Sequence, residues 1–458
     1  MAEPAANILK RPYRWVTIGA CALVFLAAFE SLAVTTIMPV VSRELDGASL
    51  YALAFAGPLA TGVIGMVAAG NWSDRRGPAA PLFASVALFV VGLLIAGTAV
   101  SMPLLVSGRL VQGLGGGALT VALYVVVARV YPAVLHPGIF AAFSAAWVIP
   151  SLVGPFAAGI VAQLLSWHWV FLGVVGLVVP ALVMIVPVLR GLDRQSPDAD
   201  VPPWAVGRLG WAGLAALAVL GLNLSAGATF FPAAPAVLAA AAVVVALLAV
   251  RPLVPGGTLL ARRGLPSVIL TRGLAGAAFF GAEVYLPYLL IEEYAFPPTF
   301  AGLTLTGGAL AWAGAAAIQG RLGARLTHRV AVWSGAVLVL GAILLALVTT
   351  ALHWPAAVAI AGWIFAGGGM GLLYPRLSVM TLALSTKENE GFNSSAMSIS
   401  DSLGGALALA ATGIVFAAST TTAASFSGVF ALMAVVGVAA VAVAPRVSRP
   451  VGQPPAGQ

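Results

Sequence analysis

Four ionisable side chains, Glu30, Arg109, Glu283 and Asp401, each lie inside a long run of apolar residues. A charge at the centre of a lipid bilayer costs several kcal/mol, so such residues face a protein interior, pair with one another and mark ion or proton paths. Glu30 lies about 13 Å from the outer end of its run and Arg109 about 9 Å from the outer end of its own, at 1.5 Å of helix per residue. Their depths overlap, so the two can pair. A carboxylate beside a guanidinium in a low-dielectric cavity is a proton site whose affinity changes when the cavity opens or a substrate intrudes. Glu30 therefore reads either as a coupling acid or as a structural polar lock. Asp401 is surrounded in sequence by Ser394, Ser395, Ser398, Ser400 and Ser402, whose hydroxyls can satisfy it with no role in transport. Glu292 and Glu293 end a run and read as a solvated mouth.

Other chemistries find no support. Cys21 is the single cysteine, so no intramolecular disulfide forms. His168 and His353 sit beside Trp167, Trp169 and Trp354, an arrangement that suits an interfacial aromatic belt better than a metal site. No Gly-x-Ser-x-Gly elbow, P-loop or metal-ligand spacing occurs. No cofactor is expected, and no enzymatic constellation.

The elements that must position these residues follow from composition. Of 458 residues 61% are hydrophobic and 8% charged, against about 25% charged in soluble proteins. The chain is therefore expected to be an all-α polytopic membrane protein. Windows of about 20 apolar residues fall near 15–39, 50–72, 80–100, 103–130, 138–163 and 168–189. Shorter runs lie near 209–226 and 231–250. Six more follow near 266–291, 299–319, 330–351, 355–384, 391–417 and 424–444, making fourteen spans in all. Eighteen of the 22 basic residues then lie on one side, Arg43, Arg109, Arg272 and Arg376 being the exceptions. By the positive-inside rule both termini are cytoplasmic. The net charge of +8 records topology, and no nucleic-acid partner is expected.

A repeat links the two ends of the chain. Glu30 and Glu283 are 253 residues apart, Gly70 and Gly320 250, Gly115-Gly116-Gly117 and Gly367-Gly368-Gly369 252, and Gly138 and Gly391 253. At this offset Ala361 stands opposite Arg109, so the halves are chemically unequal. Parallel repeats of this kind build alternating-access transporters. The expected division is 1–190 for one six-helix half, 191–263 for a linker with two inserted helices, and 264–458 for the other half. Tyr124, Phe143, Trp147, Phe279, Phe280 and Tyr285 either line an apolar substrate cavity or face lipid.

Gly70-Asn71-Trp72-Ser73-Asp74-Arg75-Arg76-Gly77 resembles the signature loop of the major facilitator superfamily, with Trp72 in place of the usual Leu and Pro78-Ala79 where basic residues normally follow. The resemblance implies a cytoplasmic gate of Gly70, Asp74, Arg75 and Gly77 that contacts the other half near Gly391 and Arg129. The second copy, Gly320-Arg321-Leu322-Gly323-Ala324-Arg325, lacks the acid. Arg109-Leu110-Val111-Gln112-Gly113-Leu114-Gly115 resembles a motif of proton-coupled members, which implies that Arg109 takes part in proton movement. Gly154-Pro155-Phe156-Ala157-Ala158-Gly159 resembles the antiporter motif, with Ala158 and Pro150 in place of two glycines. Glu30 through Pro39 is similar to the first-helix motif of the drug:proton antiporters with fourteen spans, where an Asp usually replaces Glu30.

The resemblance implies two six-helix halves plus two inserted helices. It also implies proton-coupled efflux of hydrophobic or amphipathic compounds, such as drugs, across a bacterial cytoplasmic membrane, as in multidrug efflux and antibiotic resistance. The expected partners are a small amphipathic substrate, protons and membrane lipids, and the expected state is a monomer. Glu30, Arg109, Glu283 and Asp401 are the expected proton-coupling set. Alternatives are an exporter of a specific lipid, siderophore or endogenous metabolite, a proton-coupled importer, or a membrane-embedded enzyme.

Overall fold

The structure, a computed structural model, describes residues 7–47, 50–192, 204–225, 234–296, 298–418 and 421–448. Hydrocarbon offers backbone groups no hydrogen-bond partner, so an apolar chain satisfies them within helices. Among the described residues there are sixteen α-helices and no strand. The first nine are α1 (Arg14–Glu44), α2 (Tyr51–Arg76), α3 (Ala79–Gly97), α4 (Met102–Val130), α5 (His136–Ala145), α6 (Val148–Leu164), α7 (His168–Leu192), α8 (Val206–Ser225) and α9 (Ala234–Val250). The others are α10 (Leu265–Glu283), α11 (Tyr285–Glu292), α12 (Pro298–Leu322), α13 (His328–Ala351), α14 (Ala356–Ala383), α15 (Glu390–Ala418) and α16 (Thr422–Val443). Ten helices among the described residues are long and apolar enough to cross a membrane, and Val206–Leu222 and Val237–Leu253 are shorter apolar helices.

Two stretches expected as single spans are broken helices. The 138–163 stretch is α5 and α6, interrupted at Ala146 and Trp147, and 266–291 is α10 and α11, interrupted at Val284. Each break has a proline just beyond it. Proline has no N–H and its ring crowds the carbonyl four residues back. Pro150 acts in this way on Ala146, and Pro287 on Glu283. Both prolines are visible in the sequence, but the apolar count runs straight through them.

The chain divides into two compact units, Met1–Leu253 with Ser385–Ser402, and Val254–Leu384 with Leu403–Gln458. In the first unit, α4 packs on α2 and α3, α1 on α6 and α7, and α3 on α7, while α8 packs on α2 and α9. In the second, α14 packs on α12 and α13, α10 on α16, and α13 on α16. The second set repeats the first, with α10, α12, α13, α14 and α16 standing for α1, α2, α3, α4 and α7. Among the described residues, α8 and α9 have no counterpart in the second unit.

Candidate functional site

In the first unit, α4 is wedged between two neighbours at glycines. A Cβ on Gly113 or Gly117 would strike the backbone of Pro58 or Gly62 on α2, and one on Gly115 the backbone of Phe89 on α3. These contacts fix the rotation of α4 and carry Arg109 towards α1. There its guanidinium forms an ion pair with Glu30, the two side chains being 7% and 5% exposed. Arg109 also donates to the Gln112 side-chain oxygen at 2.7 Å and to the Ala54 carbonyl at 3.2 Å. Gln112, buried one turn along α4, completes the site and stands in the quoted motif, although charge alone does not single it out. The arrangement is a buried carboxylate whose cation is also held by two neutral acceptors.

At the end of α2, Gly77 adopts φ +79° and its N–H donates to the Ser73 carbonyl. That left-handed turn, which favours glycine, ends the helix and places Asp74 on its last turn. Asp74 accepts the N–H groups of Gly391 and Phe392, at 2.6 and 2.9 Å, on the first turn of α15. A carboxylate there satisfies orphan donors and meets the positive end of the helix dipole. A Cβ on Gly70 would lie 2.5 Å from the Gly391 carbonyl oxygen, so α2 and α15 approach closely where both positions are glycine. Arg129, from the last turn of α4, donates to the Lys387 carbonyl at 2.7 Å and pairs with Glu390. Burial pushes the Glu390 carboxyl above its ordinary value, opposed by Arg129. Arg75 turns to the Trp204 ring, 4.8 Å from its centroid. The structure thus brings Gly70, Asp74, Arg129 and Gly391 together, and adds Glu390, which the sequence reading passed over.

The second unit has a different set. Its close contacts put Gly367 on Gly308 and Gly371 on Trp312, both on α12, and Gly369 on Gly335 of α13. Matched by the helix each one touches, Gly113, Gly115 and Gly117 correspond to Gly367, Gly369 and Gly371. The packing register is therefore 254 residues, two more than the glycine triplets suggest. This moves the counterpart of Arg109 from Ala361, which is exposed, to Trp363, which is fully buried. The Trp363 indole lies beside Glu283, while its buried Nε1 makes no hydrogen bond of good geometry. Glu283 thus faces a neutral aromatic where Glu30 faces a guanidinium. Trp363 also stacks on Phe279, whose edge contacts reach Phe280 and Trp312.

Two further arginines, Arg272 and Arg376, lie within the apolar runs of this unit and are buried. Arg272 lies 3.5 Å over the Tyr374 ring and donates to the Tyr374 carbonyl. Arg376 donates to the Gln319 side-chain oxygen at 2.9 Å and the Gly323 carbonyl at 2.7 Å. Asp401 is partly buried on α15.

The other sequence-predicted residues are scattered. Gly154 sits on α6 with room for a Cβ at 3.6 Å from Phe29, and Gly159 has nothing within 4 Å, so neither is required by packing. Pro155 lies in α6 with its side chain outside the described residues. Tyr124 and Phe143 both pack edge-on against Phe140, whereas Trp147, at the α5–α6 break, is 48% exposed. Tyr285 lies against Phe416.

The pattern of two repeated helical units agrees with comparisons to known proteins. The family model described as Major Facilitator Superfamily matches residues 20–282. The chain belongs to the major facilitator superfamily. A probable multidrug-efflux transporter of Mycobacterium tuberculosis is 29% identical over 235 residues, which is 50% of this chain and 48% of that protein. An efflux pump of Fusarium sp, itself of the major facilitator type, is 29% identical over 242 residues, 50% of this chain and 41% of that one. The chain spans about half the length of the curated relatives it matches. The human organic anion transporter has the same fold, with a TM-score of 0.70 at 15% identity, covering 95% of this chain and all of that one. The structure of a proton:xylose symporter matches with a TM-score of 0.66 at 14% identity, covering 93% and 94% of the two chains. The family match and the ten described helices long and apolar enough to cross a membrane fit one another.

Proposed function

We propose that this major facilitator exports hydrophobic or amphipathic compounds, including drugs, across a bacterial cytoplasmic membrane in exchange for protons. The observation that carries this reading is the buried Glu30–Arg109 pair with Gln112 as a second acceptor. Protonation of Glu30 removes one charge of the pair, and Arg109 keeps Gln112 and the Ala54 carbonyl. The carboxyl can then load and release its proton without stranding a bare cation in a low-dielectric site. The name of the mycobacterial relative supports efflux as the direction. In this reading the protein is a monomer of fourteen spans with both termini cytoplasmic, and the inserted helices lie in 191–263. Gly70, Asp74, Arg75, Gly77 and Arg129 form its cytoplasmic gate. Asp401 and Glu283 assist Glu30, and Gly154, Pro155 and Gly159 form the antiporter motif. The substrate cavity draws on Tyr124, Phe143, Trp147, Phe280 and Tyr285.

The test uses purified protein in liposomes with ethidium as the probe and an imposed pH gradient. The protein should drive ethidium against its gradient, and Glu30→Gln should abolish the gradient-driven movement. Undiminished driven transport by that variant removes Glu30 from the mechanism. Absence of any proton dependence in the unsubstituted protein removes antiport.

A further inference from the structure

The start of α8 and the two residues before it touch the α2–α15 contact at three points in sequence order. Trp204 stands just before the helix and receives the Arg75 guanidinium on its ring at 4.8 Å. The next residue, Ala205, donates its N–H to the Asn71 side-chain oxygen at 3.3 Å. One turn further on, Arg208 places its guanidinium 4.1 Å from the centroid of the Phe392 ring. Phe392 is the residue whose N–H the Asp74 carboxylate accepts. Val67, Asn71, Arg208, Leu253, Phe392 and Ser395 line one small cleft between these elements. The first turn of α15 is therefore held from two directions, through its backbone by Asp74 and through its Phe392 side chain by Arg208.

We propose that the start of the inserted pair is a brace on the gate, with Arg208 and Trp204 as positioning residues that hold the α15 first turn seated on α2. Trp204 ties the last turn of α2 to the inserted segment through Arg75, beside the turn on which Asp74 accepts from α15. Arg208 holds the Phe392 ring and with it the orientation of the N–H that Asp74 needs. When the α15 turn leaves α2, the Arg208–Phe392 contact breaks with it, so the inserted helices bias how often the gate opens. The idea rests on reading Asp74 as a gate residue. Its measurement needs neither substrate nor proton gradient, so it fails separately from the transport assay.

The experiment places spin labels at Arg76→Cys and Glu388→Cys, both exposed, in the full chain with Cys21→Ala. The distance distribution is then read in lipid nanodiscs. A cation–ring contact whose cation is exposed changes a population ratio about two- to five-fold. Arg208→Ala should therefore raise the ratio of released to seated populations by about that factor, and Arg208→Lys should retain part of the seating. Phe392→Leu keeps the backbone N–H and removes the ring, so it should reproduce the shift. Combined with Arg208→Ala it should add nothing. An unchanged distribution in Arg208→Ala, or effects of the two substitutions that multiply, overturns the brace. Loss of the seated population in every variant, Arg208→Lys included, also overturns it, because a general loosening of α15 is then the cause.

Discussion

Glu30 and Arg109 depend on each other because neither is comfortable alone. Removing one partner of a buried ion pair leaves an uncompensated charge and typically costs about 3–5 kcal/mol. Arg109→Ala should lower unfolding stability in detergent by about that much, whereas Glu30→Gln, which keeps a polar partner of the same shape, should cost less. The double variant should recover part of the Arg109→Ala loss. Additive losses in a denaturant titration would mean that the two side chains are not energetically coupled. Glu390 gives a pH prediction outside the spans. Its raised value means that the folded protein binds this proton more tightly than the unfolded chain. Its contribution to stability is thus present at low pH and is lost as pH rises from the ordinary carboxylate range through the raised value. Melting temperature followed against pH should fall across that window relative to Glu390→Gln. Curves of the same shape for the two proteins would contradict the prediction. The Glu30–Arg109 pair was readable from charge and depth. Gln112 was hidden in plain sight, since a neutral amide in a helix signals nothing until an arginine is seen to reach it.

Helices in this protein are shaped by prolines and glycines acting over one turn. Pro287 lies four residues beyond Glu283, and that break sets the backbone around the second unit's carboxylate. A proline inside a helix costs about 3 kcal/mol or more. Pro287→Ala should therefore join α10 to α11, raise the melting temperature and slow turnover if the break is needed for movement. A lower melting temperature would show that the broken form is held by packing that a straight helix cannot make. Apolar length located these spans well, because hydrocarbon thickness sets that length. It did not locate the breaks, because hydropathy sums over residues and says nothing about which carbonyl loses its N–H. In the same way, the glycine triplets announced a repeat but missed its register by two residues. A glycine's neighbour across a helix interface is decided by helix rotation, which a list of identities does not contain.

The two units share their packing and differ in chemistry, with an Arg beside Glu30 and a Trp beside Glu283. A carboxyl paired with a fixed cation responds to the rest of the site through that cation, whereas one beside an indole has no cation to respond through. Glu30→Gln should therefore abolish proton-gradient dependence in liposomes, and Glu283→Gln should weaken it while leaving a pH-dependent rate. Equal loss in both variants would make the two carboxyls one functional unit. What the amino-acid sequence settles here is the class of protein, the long helices and the existence of two related halves. These follow from apolar area, segment length and repetition, all of which are properties of the chain taken residue by residue. It also supplies the short list of buried charges, since a charge in an apolar run is conspicuous. The tertiary structure alone decides the partners: Gln112 for Arg109, the α15 amides for Asp74, Glu390 for Arg129, and Trp363 rather than Ala361 opposite the coupling position. A partner is a matter of which helix face meets which. That depends on the rotation and close approach of helices far apart in sequence, and no local pattern of residues encodes it.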